Sequence, residues 1–202
     1  MKYDLVIFDL DGTLMDTSKS ITKTVNSAME ELGKKQYSID ECVKFVGGGV
    51  SGLARNILGK EKYTDVTNEE MEKVIRKYYD IYFDYGVEPY EGIPELLDFL
   101  TEKNIKKGIV TNKDHETALS AVEKKLSKWR FDGIFGSNEK EYPNKPNPYN
   151  VDRMAQNLDV SKDRILFVGD MLVDVNTAKN AGVDIVYFLN QTFLKFTYSK
   201  RI

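Results

Sequence analysis

The chain has 202 residues, of which 41% are hydrophobic and 30% are charged, a composition typical of a folded globular protein with one main core. Its 29 basic and 32 acidic residues give a net charge of −3, without the basic excess that nucleic-acid binding usually leaves in a sequence. A single cysteine, Cys42, and a single histidine, His115, exclude an intrachain disulfide, a cysteine zinc cluster and any site that needs two histidines.

The N-terminal segment carries acidic residues where a signal peptide has small ones, and no apolar run reaches about 18 residues, so we expect a cytoplasmic protein that binds no membrane. The first predicted element is a strand over residues 3–8. Its apolar residues are continuous rather than alternating, which is typical of a parallel strand buried on both faces. A loop with two acids, a glycine and a hydroxyl follows at once, in the order Asp9, Asp11, Gly12 and Thr13.

Residues 16–84 are predicted to be almost entirely helical. Apolar residues recur at helical spacing over residues 17–32, and Ser-x-x-Glu and Thr-x-x-Glu pairs at Ser38 and Thr67 indicate two further helix starts. This helical stretch interrupts the chain directly after its first strand. We therefore interpret it as an inserted cap.

From about residue 88 onward, predicted strands and helices alternate. The strand over residues 108–110 is predicted to end at Thr111 and Asn112, the strand over 165–168 ends at Gly169 and Asp170, and a last strand covers 185–189. Such alternation predicts an α/β fold with a doubly wound parallel sheet and helices on both faces. We assign residues 1–15 and 87–202 to this core and residues 16–86 to the cap.

Polar side chains follow three of the predicted strands. Ligands bind outside the carboxyl ends of the strands in an open parallel sheet, so we expect these residues to meet at one edge: Asp9, Asp11, Thr111, Asn112, Asp170 and Asp174. Carboxylates gathered this closely repel one another, and oxygen ligands without His or Cys select a hard cation. The sequence therefore predicts a Mg²⁺ site, and Lys145, flanked by prolines, would add a fixed positive charge.

A carboxylate in a tight loop after a strand suits nucleophilic attack on phosphorus. Asp9 would form an aspartyl-phosphate, and Asp11 would protonate the leaving oxygen and then activate water. Gly12 would let the backbone approach the phosphate, and Thr13 would supply a hydroxyl. Phosphoryl transfer depends mainly on positioning and charge neutralisation, which these groups provide.

Four segments resemble the motifs of the haloacid dehalogenase superfamily, in its order: Asp9-Leu10-Asp11-Gly12-Thr13, Thr111-Asn112, Lys145-Pro146-x-Pro148 and Gly169-Asp170-x-x-x-Asp174. Within the superfamily the chain is most similar to phosphoglycolate-phosphatase-like hydrolases with a small helical cap. The resemblance implies that Asp9 is the nucleophile, that Asp11 is the acid and base, and that Thr111 and Lys145 hold the phosphoryl group. It also implies Mg²⁺ ligands from Asp9, the Asp11 carbonyl and Asp170, supported by Asp174.

We predict a Mg²⁺-dependent phosphatase that hydrolyses a small phosphorylated metabolite through an aspartyl-phosphate. Two alternatives remain open on the sequence: an inorganic pyrophosphatase on the same scaffold, and a phosphate-binding or regulatory protein without activity. The resemblance also implies limits on the chemistry. Dehalogenases of the superfamily lack the second acid of the first motif, which is present here as Asp11, and its sugar-phosphate mutases use a histidine just after that motif, where this chain has none. We expect a monomer or a homodimer.

The glycine-rich segment of the cap allows two interpretations. Gly47, Gly48 and Gly49 begin a G-x-G-x-x-G match, but the match follows a predicted helix rather than a strand, so it is no dinucleotide fingerprint. The segment is either a flexible connection or a substrate-selecting element, in which case Arg55 would meet a second anionic group of the substrate. The aromatic and basic tail over residues 193–202 is compatible with packing on the core, with a frayed end and with binding a partner, and the sequence does not distinguish these three.

Overall fold

The computed structural model describes residues 2–138 and 140–188. The chain forms two compact units, one made of the residues up to Met15 and from Pro89 onward, the other made of Asp16–Glu88. Leu189, the predicted end of the last strand, lies outside the described residues. The tail over residues 193–202 lies outside them as well.

The secondary-structure elements alternate in the first unit and are helical in the second. The strands are β1 (Leu5–Phe8), β2 (Met15–Asp16), β3 (Glu88–Pro89), β4 (Lys106–Asp114), β5 (Gly133–Ser137), β6 (Ile165–Gly169) and β7 (Asp184–Tyr187). The helices are α1 (Ser18–Glu31), α2 (Ile39–Val43), α3 (Gly49–Glu61), α4 (Asn68–Tyr82), α5 (Ile93–Glu102), α6 (His115–Leu126), α7 (Tyr149–Asn157) and α8 (Leu172–Ala181). A short 3₁₀ turn, Lys162–Arg164, precedes β6.

The central sheet has five parallel strands in the order β5-β4-β1-β6-β7. β1 lies in the middle, and its four residues are all buried, which explains why its sequence is apolar without alternation. Helices α7 and α8 pack on the face of the sheet that carries Leu5, Ile7 and Phe167. The predicted α/β fold with a parallel sheet is confirmed.

Two details of the sheet differ from the prediction. β4 was expected to end at Thr111 and Asn112, whereas it continues to Asp114. Its pairing with β1 stops at Ile109, and its register with β5 shifts between Val110 and Asp114. Thr111 and Asn112 therefore lie inside a strand, yet past the end of β1. The two-residue strands β2 and β3, which form a separate small sheet, are too short to leave a sequence pattern.

The second unit has a hydrophobic core of its own. Helices α1, α3 and α4 supply most of it, with buried residues such as Met29, Ile57 and Ile75, and the free thiol of Cys42 is also buried there. Both predicted capping boxes are present, at Ser38 with Glu41 and at Thr67 with Glu70. In the part of the chain that the structure describes, no helix is long and apolar enough to cross a membrane.

Candidate active site

The loop after β1 brings Asp9 to the carboxyl end of the sheet and holds it there. The Asp9 N–H donates to the carbonyl of Val168 on the neighbouring strand β6 (2.9 Å). The carboxylate Oδ1 accepts a hydrogen bond from the next backbone amide, that of Leu10 (2.8 Å). Asp9 is only 5% exposed, so both the main chain and the side chain of this acid are fixed in a buried position.

Three carboxylates meet beside this loop. Asp9, Asp170 and Asp174 each offer one oxygen, and these oxygens all lie within 4.8 Å of one another. Asp170 follows β6, and Asp174 lies in the first turn of α8, where its Oδ2 accepts a hydrogen bond from the Met171 amide (2.9 Å). The predicted meeting of acids from separate strand ends is thus present for these three residues.

A buried lysine lies between two of these acids. The Nζ of Lys145 is 2.9 Å from Oδ1 of Asp9 and 2.7 Å from Oδ1 of Asp174, and its side chain is only 2% exposed. Burial alone would lower the pKa of Lys145, but the charges of Asp9 and Asp174 outweigh burial and raise that pKa above its ordinary value. Lys145 is therefore a permanent cation inside the site.

Gly12 and Thr13 both contact Asp170. Gly12 has a φ of +82°, and a Cβ at this position would overlap the Asp170 carboxylate. Only glycine fits, because the backbone conformation and the close approach exclude a side chain. The Thr13 hydroxyl donates a hydrogen bond to Oδ1 of Asp170 (2.6 Å). The Thr13 hydroxyl was expected to contact phosphate, and that contact stays a prediction.

Thr111 and Asn112 are buried where β4 extends past β1. The Thr111 hydroxyl accepts a hydrogen bond from the Lys113 amide (3.3 Å). The side-chain amide of Asn112 bonds to both the N–H and the carbonyl of Lys145, at 2.9 and 3.1 Å. Asn112 was predicted to bind phosphate, and its described side-chain contacts are instead with the main chain of the lysine that lies among the acids.

Lys113 is a site residue that the sequence reasoning missed. Its Nζ lies 3.1 and 3.2 Å from the two carboxylate oxygens of Asp11, and its side chain is 2% exposed. Lys113 follows Thr111 by two residues on β4, and such residues point to the same face of a strand. This spacing was the available signal. The Asp11 carboxylate thus pairs with Lys113, whereas Asp9 and Asp174 contact Lys145.

Residues 6–188 match the family described as haloacid dehalogenase-like hydrolase. The chain belongs to this family. An Aquifex aeolicus (strain VF5) phosphoglycolate phosphatase is 34% identical over 181 residues, which cover 88% of this chain and 81% of the relative. A pyrophosphatase PpaX from Halalkalibacterium halodurans is 32% identical over 183 residues, which cover 91% of this chain and 82% of the relative.

Solved structures agree with this assignment. The crystal structure of a Lactobacillus delbrueckii subsp. bulgaricus protein assigned as a phosphoglycolate phosphatase has a TM-score of 0.84 and 26% identity, and the match covers 93% of this chain and 86% of that one. The predicted resemblance to phosphoglycolate-phosphatase-like members of the family is confirmed. This haloacid dehalogenase-like hydrolase is a phosphatase, a phosphoric monoester hydrolase.

The acids of this hydrolase fit a divalent cation. Burial, reinforced by the charge of Asp9, raises the pKa of Asp170 to about 7. Burial likewise raises the pKa of Asp174, against the opposing charge of Lys145. Three carboxylates meet here, and Lys145 contacts two of them, Asp9 and Asp174. A cation would reduce the repulsion among the acids, and an all-oxygen donor set without His or Cys favours a hard ion such as Mg²⁺.

The four cap residues singled out in the sequence lie together in the second unit. Gly47, Gly48 and Gly49 all have positive φ, at 141°, 70° and 68°. Gly48 precedes the first residue of α3, and the guanidinium of the exposed Arg55 lies beside Gly48 and Gly52. The positive φ values explain why glycine recurs here. A role of these residues in substrate choice stays a prediction.

Replacement of Gly12 by alanine is expected to weaken Mg²⁺ binding by about 10- to 100-fold, the usual size of losses when a group that orients a ligand is disturbed. The reason is that the added methyl group overlaps Asp170. Isothermal titration with Mg²⁺ measures the effect. Gly33→Ala is the matched control, because Gly33 has a similar φ of +64° and a Cβ there meets nothing within 4 Å. Equal Mg²⁺ affinities for the two variants would contradict the prediction.

Proposed function

We propose that this hydrolase is a Mg²⁺-dependent phosphatase that cleaves small phosphomonoesters through an aspartyl-phosphate on Asp9. The observation that carries the proposal is the buried Lys145, held between Asp9 and Asp174 with Asp170 beside them. A nucleophilic carboxylate needs neighbouring positive charge before it can approach a phosphate dianion. The lysine and a cation bound to the acids would supply that charge.

The metal ligands in this proposal are the carboxylates of Asp9 and Asp170 and, as the family resemblance implies, the backbone carbonyl of Asp11, with Asp174 in support. Mg²⁺ usually binds through a few carboxylates and keeps positions for water and phosphate oxygens. When bound, it would neutralise charge on the phosphoryl oxygens. Thr13, through its bond to Asp170, would keep one ligand oriented.

The chemical steps use this chain's own side chains. A carboxylate oxygen of Asp9 forms a bond to phosphorus while the bond from phosphorus to the leaving oxygen breaks, and Asp11 gives that oxygen a proton. Asp11 then takes a proton from water, whose oxygen attacks phosphorus and releases Asp9 and inorganic phosphate. The Thr111 hydroxyl and the Lys145 ammonium would hold the non-bridging oxygens of the phosphoryl group.

The substrate we propose is a small phosphorylated metabolite of the phosphoglycolate type, following the relative that is 34% identical. Inorganic pyrophosphate is the second candidate, and the relatives named PpaX favour it. A binding protein without activity fits less well, because the nucleophile, the second acid, the lysine and the acidic cluster are all present.

Purified protein is expected to release phosphate from p-nitrophenyl phosphate in a Mg²⁺-dependent manner, and Asp9→Asn is expected to remove the activity because the amide cannot attack phosphorus. Mass spectrometry after trapping with a metal fluoride or acid quenching tests the aspartyl-phosphate. Parallel values of kcat/KM for 2-phosphoglycolate and pyrophosphate decide between the two substrates. A wild type that is inert with Mg²⁺, or an Asp9→Asn variant that hydrolyses as fast as wild type, would overturn the proposal.

A further inference from the structure

The segment that carries Lys145 lies outside the sheet, yet Lys145 itself is only 6% exposed. Buried backbone N–H and carbonyl groups need partners, and the partner of both groups of Lys145 is the side chain of Asn112. The Lys145 N–H donates to Oδ1 of Asn112 (2.9 Å), and Nδ2 of Asn112 donates to the Lys145 carbonyl (3.1 Å). One side chain thus replaces a neighbouring strand for this residue.

The planar carboxamide makes this contact specific. It presents one acceptor and one donor in a fixed arrangement, and here these two groups bond to the N–H and the C=O of a single residue. Asn112 itself lies on β4 past the end of β1, between Val110 and Asp114, which both pair with β5, so residues on either side of it are anchored in the sheet. The contact therefore links the backbone of Lys145 to the sheet.

A second asparagine holds the next residue. Nδ2 of Asn180, at the end of α8, donates to the carbonyl of Pro146 (2.9 Å). This bond is exposed, in contrast to the buried pair made by Asn112. Lys145 and Pro146 are thus held from two different elements, and the bonds of Asn112 act on the lysine itself.

We propose that Asn112 is a positioning residue that acts through Lys145, by fixing the backbone from which the ammonium group reaches Asp9 and Asp174. This inference deepens the proposed function and rests on it wherever turnover is the readout. The Nζ of Lys145 lies 2.9 and 2.7 Å from the two acids, and these distances are kept only while the Lys145 backbone stays in place. A shift of about 1 Å at a catalytic group is enough to reduce a rate by about 100-fold.

A double-mutant cycle tests whether Asn112 acts through Lys145. Asn112→Ala is expected to lower kcat for p-nitrophenyl phosphate by about 10- to 100-fold. In a Lys145→Ala background, the same substitution is expected to change kcat by less than about twofold, because the group that it positions is absent. A loss of equal size in both backgrounds would overturn the inference, and so would an Asn112→Ala variant as active as wild type.

Hydrogen exchange measured by NMR tests the same inference without turnover. Asn112→Ala removes the acceptor of the Lys145 amide, so this amide is expected to exchange at least about tenfold faster. Unchanged exchange would refute the role of Asn112 even in a fully active enzyme. Faster exchange in a protein that proves inert would instead refute the proposed function and leave the positioning contact intact.

Asn26→Ala provides the matched control. Its side-chain amide makes the same two bonds to a backbone, accepting from the Tyr37 N–H and donating to the Tyr37 carbonyl, both at 2.8 Å, within the second unit. This variant is expected to accelerate exchange of the Tyr37 amide but not that of Lys145. Faster exchange of the Lys145 amide in Asn26→Ala would mean that loss of any such pair of side-chain bonds increases exchange throughout the protein. This outcome would overturn the inference.

Asn112→Asp keeps the test informative if the alanine variant does not fold. Aspartate preserves the volume and the acceptor for the Lys145 N–H, but it places an oxygen against the Lys145 carbonyl in place of the donor. We expect a loss of kcat in the same direction as for alanine. Wild-type turnover together with wild-type exchange of the Lys145 amide in Asn112→Asp would overturn the inference.

Discussion

The Asp170→Asn variant is expected to lose Mg²⁺ binding and turnover, yet to be more stable than wild type when both are free of metal. The cause is the raised pKa of Asp170, about 7 against an ordinary value of 3.8. A raised pKa adds stability below pH 3.8 that is lost as the pH rises through about 7. At pH 8 the folded wild type must therefore carry a buried charge that the amide avoids, and we expect a gain of about 2–4 kcal/mol for the variant.

Urea unfolding in the presence of EDTA at pH 5 and pH 8 measures this gain, which is expected to grow with pH. Addition of Mg²⁺ should reverse the order, because a ligand that binds only the folded wild type stabilises it by mass action. Asp80→Asn is the matched control, since it removes the same formal charge from an exposed position on α4. A metal-free Asp170→Asn protein less stable than wild type at pH 8 would contradict the explanation.

The Lys145→Met variant is expected to show the largest combined loss of stability and activity. Methionine has a similar length but leaves Asp9 and Asp174 buried without their shared ammonium. Removing one partner of a buried ion pair costs about 3–5 kcal/mol, and loss of one charged donor to a phosphoryl group lowers kcat by about 10²- to 10³-fold. Denaturant unfolding without metal and kcat for p-nitrophenyl phosphate are the two measurements.

Lys107→Met separates this effect from the general consequence of replacing a buried lysine. Lys107 is 5% exposed on the same strand that carries Asn112, and its Nζ donates to the Thr101 hydroxyl (3.0 Å). We expect this variant to cost about 1 kcal/mol of stability and to keep its turnover. If Lys145→Met resembled Lys107→Met in both measurements, the central role given to Lys145 would be wrong.

The sequence predicted the strand ends that carry the acids because buried parallel strands are marked by continuous apolar residues. Asp9 and Asp170 directly follow such strands, and the structure places both in the acidic cluster. Thr111 was predicted to follow a strand and lies inside one. The apolar pattern did not predict this strand end, because polar residues can continue a strand beyond the point where its neighbour β1 ends.

The partners of individual polar side chains were beyond the reach of the sequence. The bonds of Thr13 to Asp170, Asn112 to Lys145 and Lys113 to Asp11 join residues that are 157, 33 and 102 positions apart. Each pairing depends on which strands become neighbours, and local patterns such as caps and periodicity contain no such information. Sequence reasoning could therefore name the acids and Lys145, but not the contacts that orient them.

The placement of β1 at the centre of the sheet has a consequence for synthesis on the ribosome. Leu5 pairs with Lys106 on one side and with Ile165 on the other, so the first strand made is flanked by two strands made much later. The four helices of Asp16–Glu88, with their own core, need only residues that are already translated. A nascent chain can therefore fold its second unit before the strands that pair with β1 have been translated. During this interval the apolar strand β1 is unpaired and prone to aggregation.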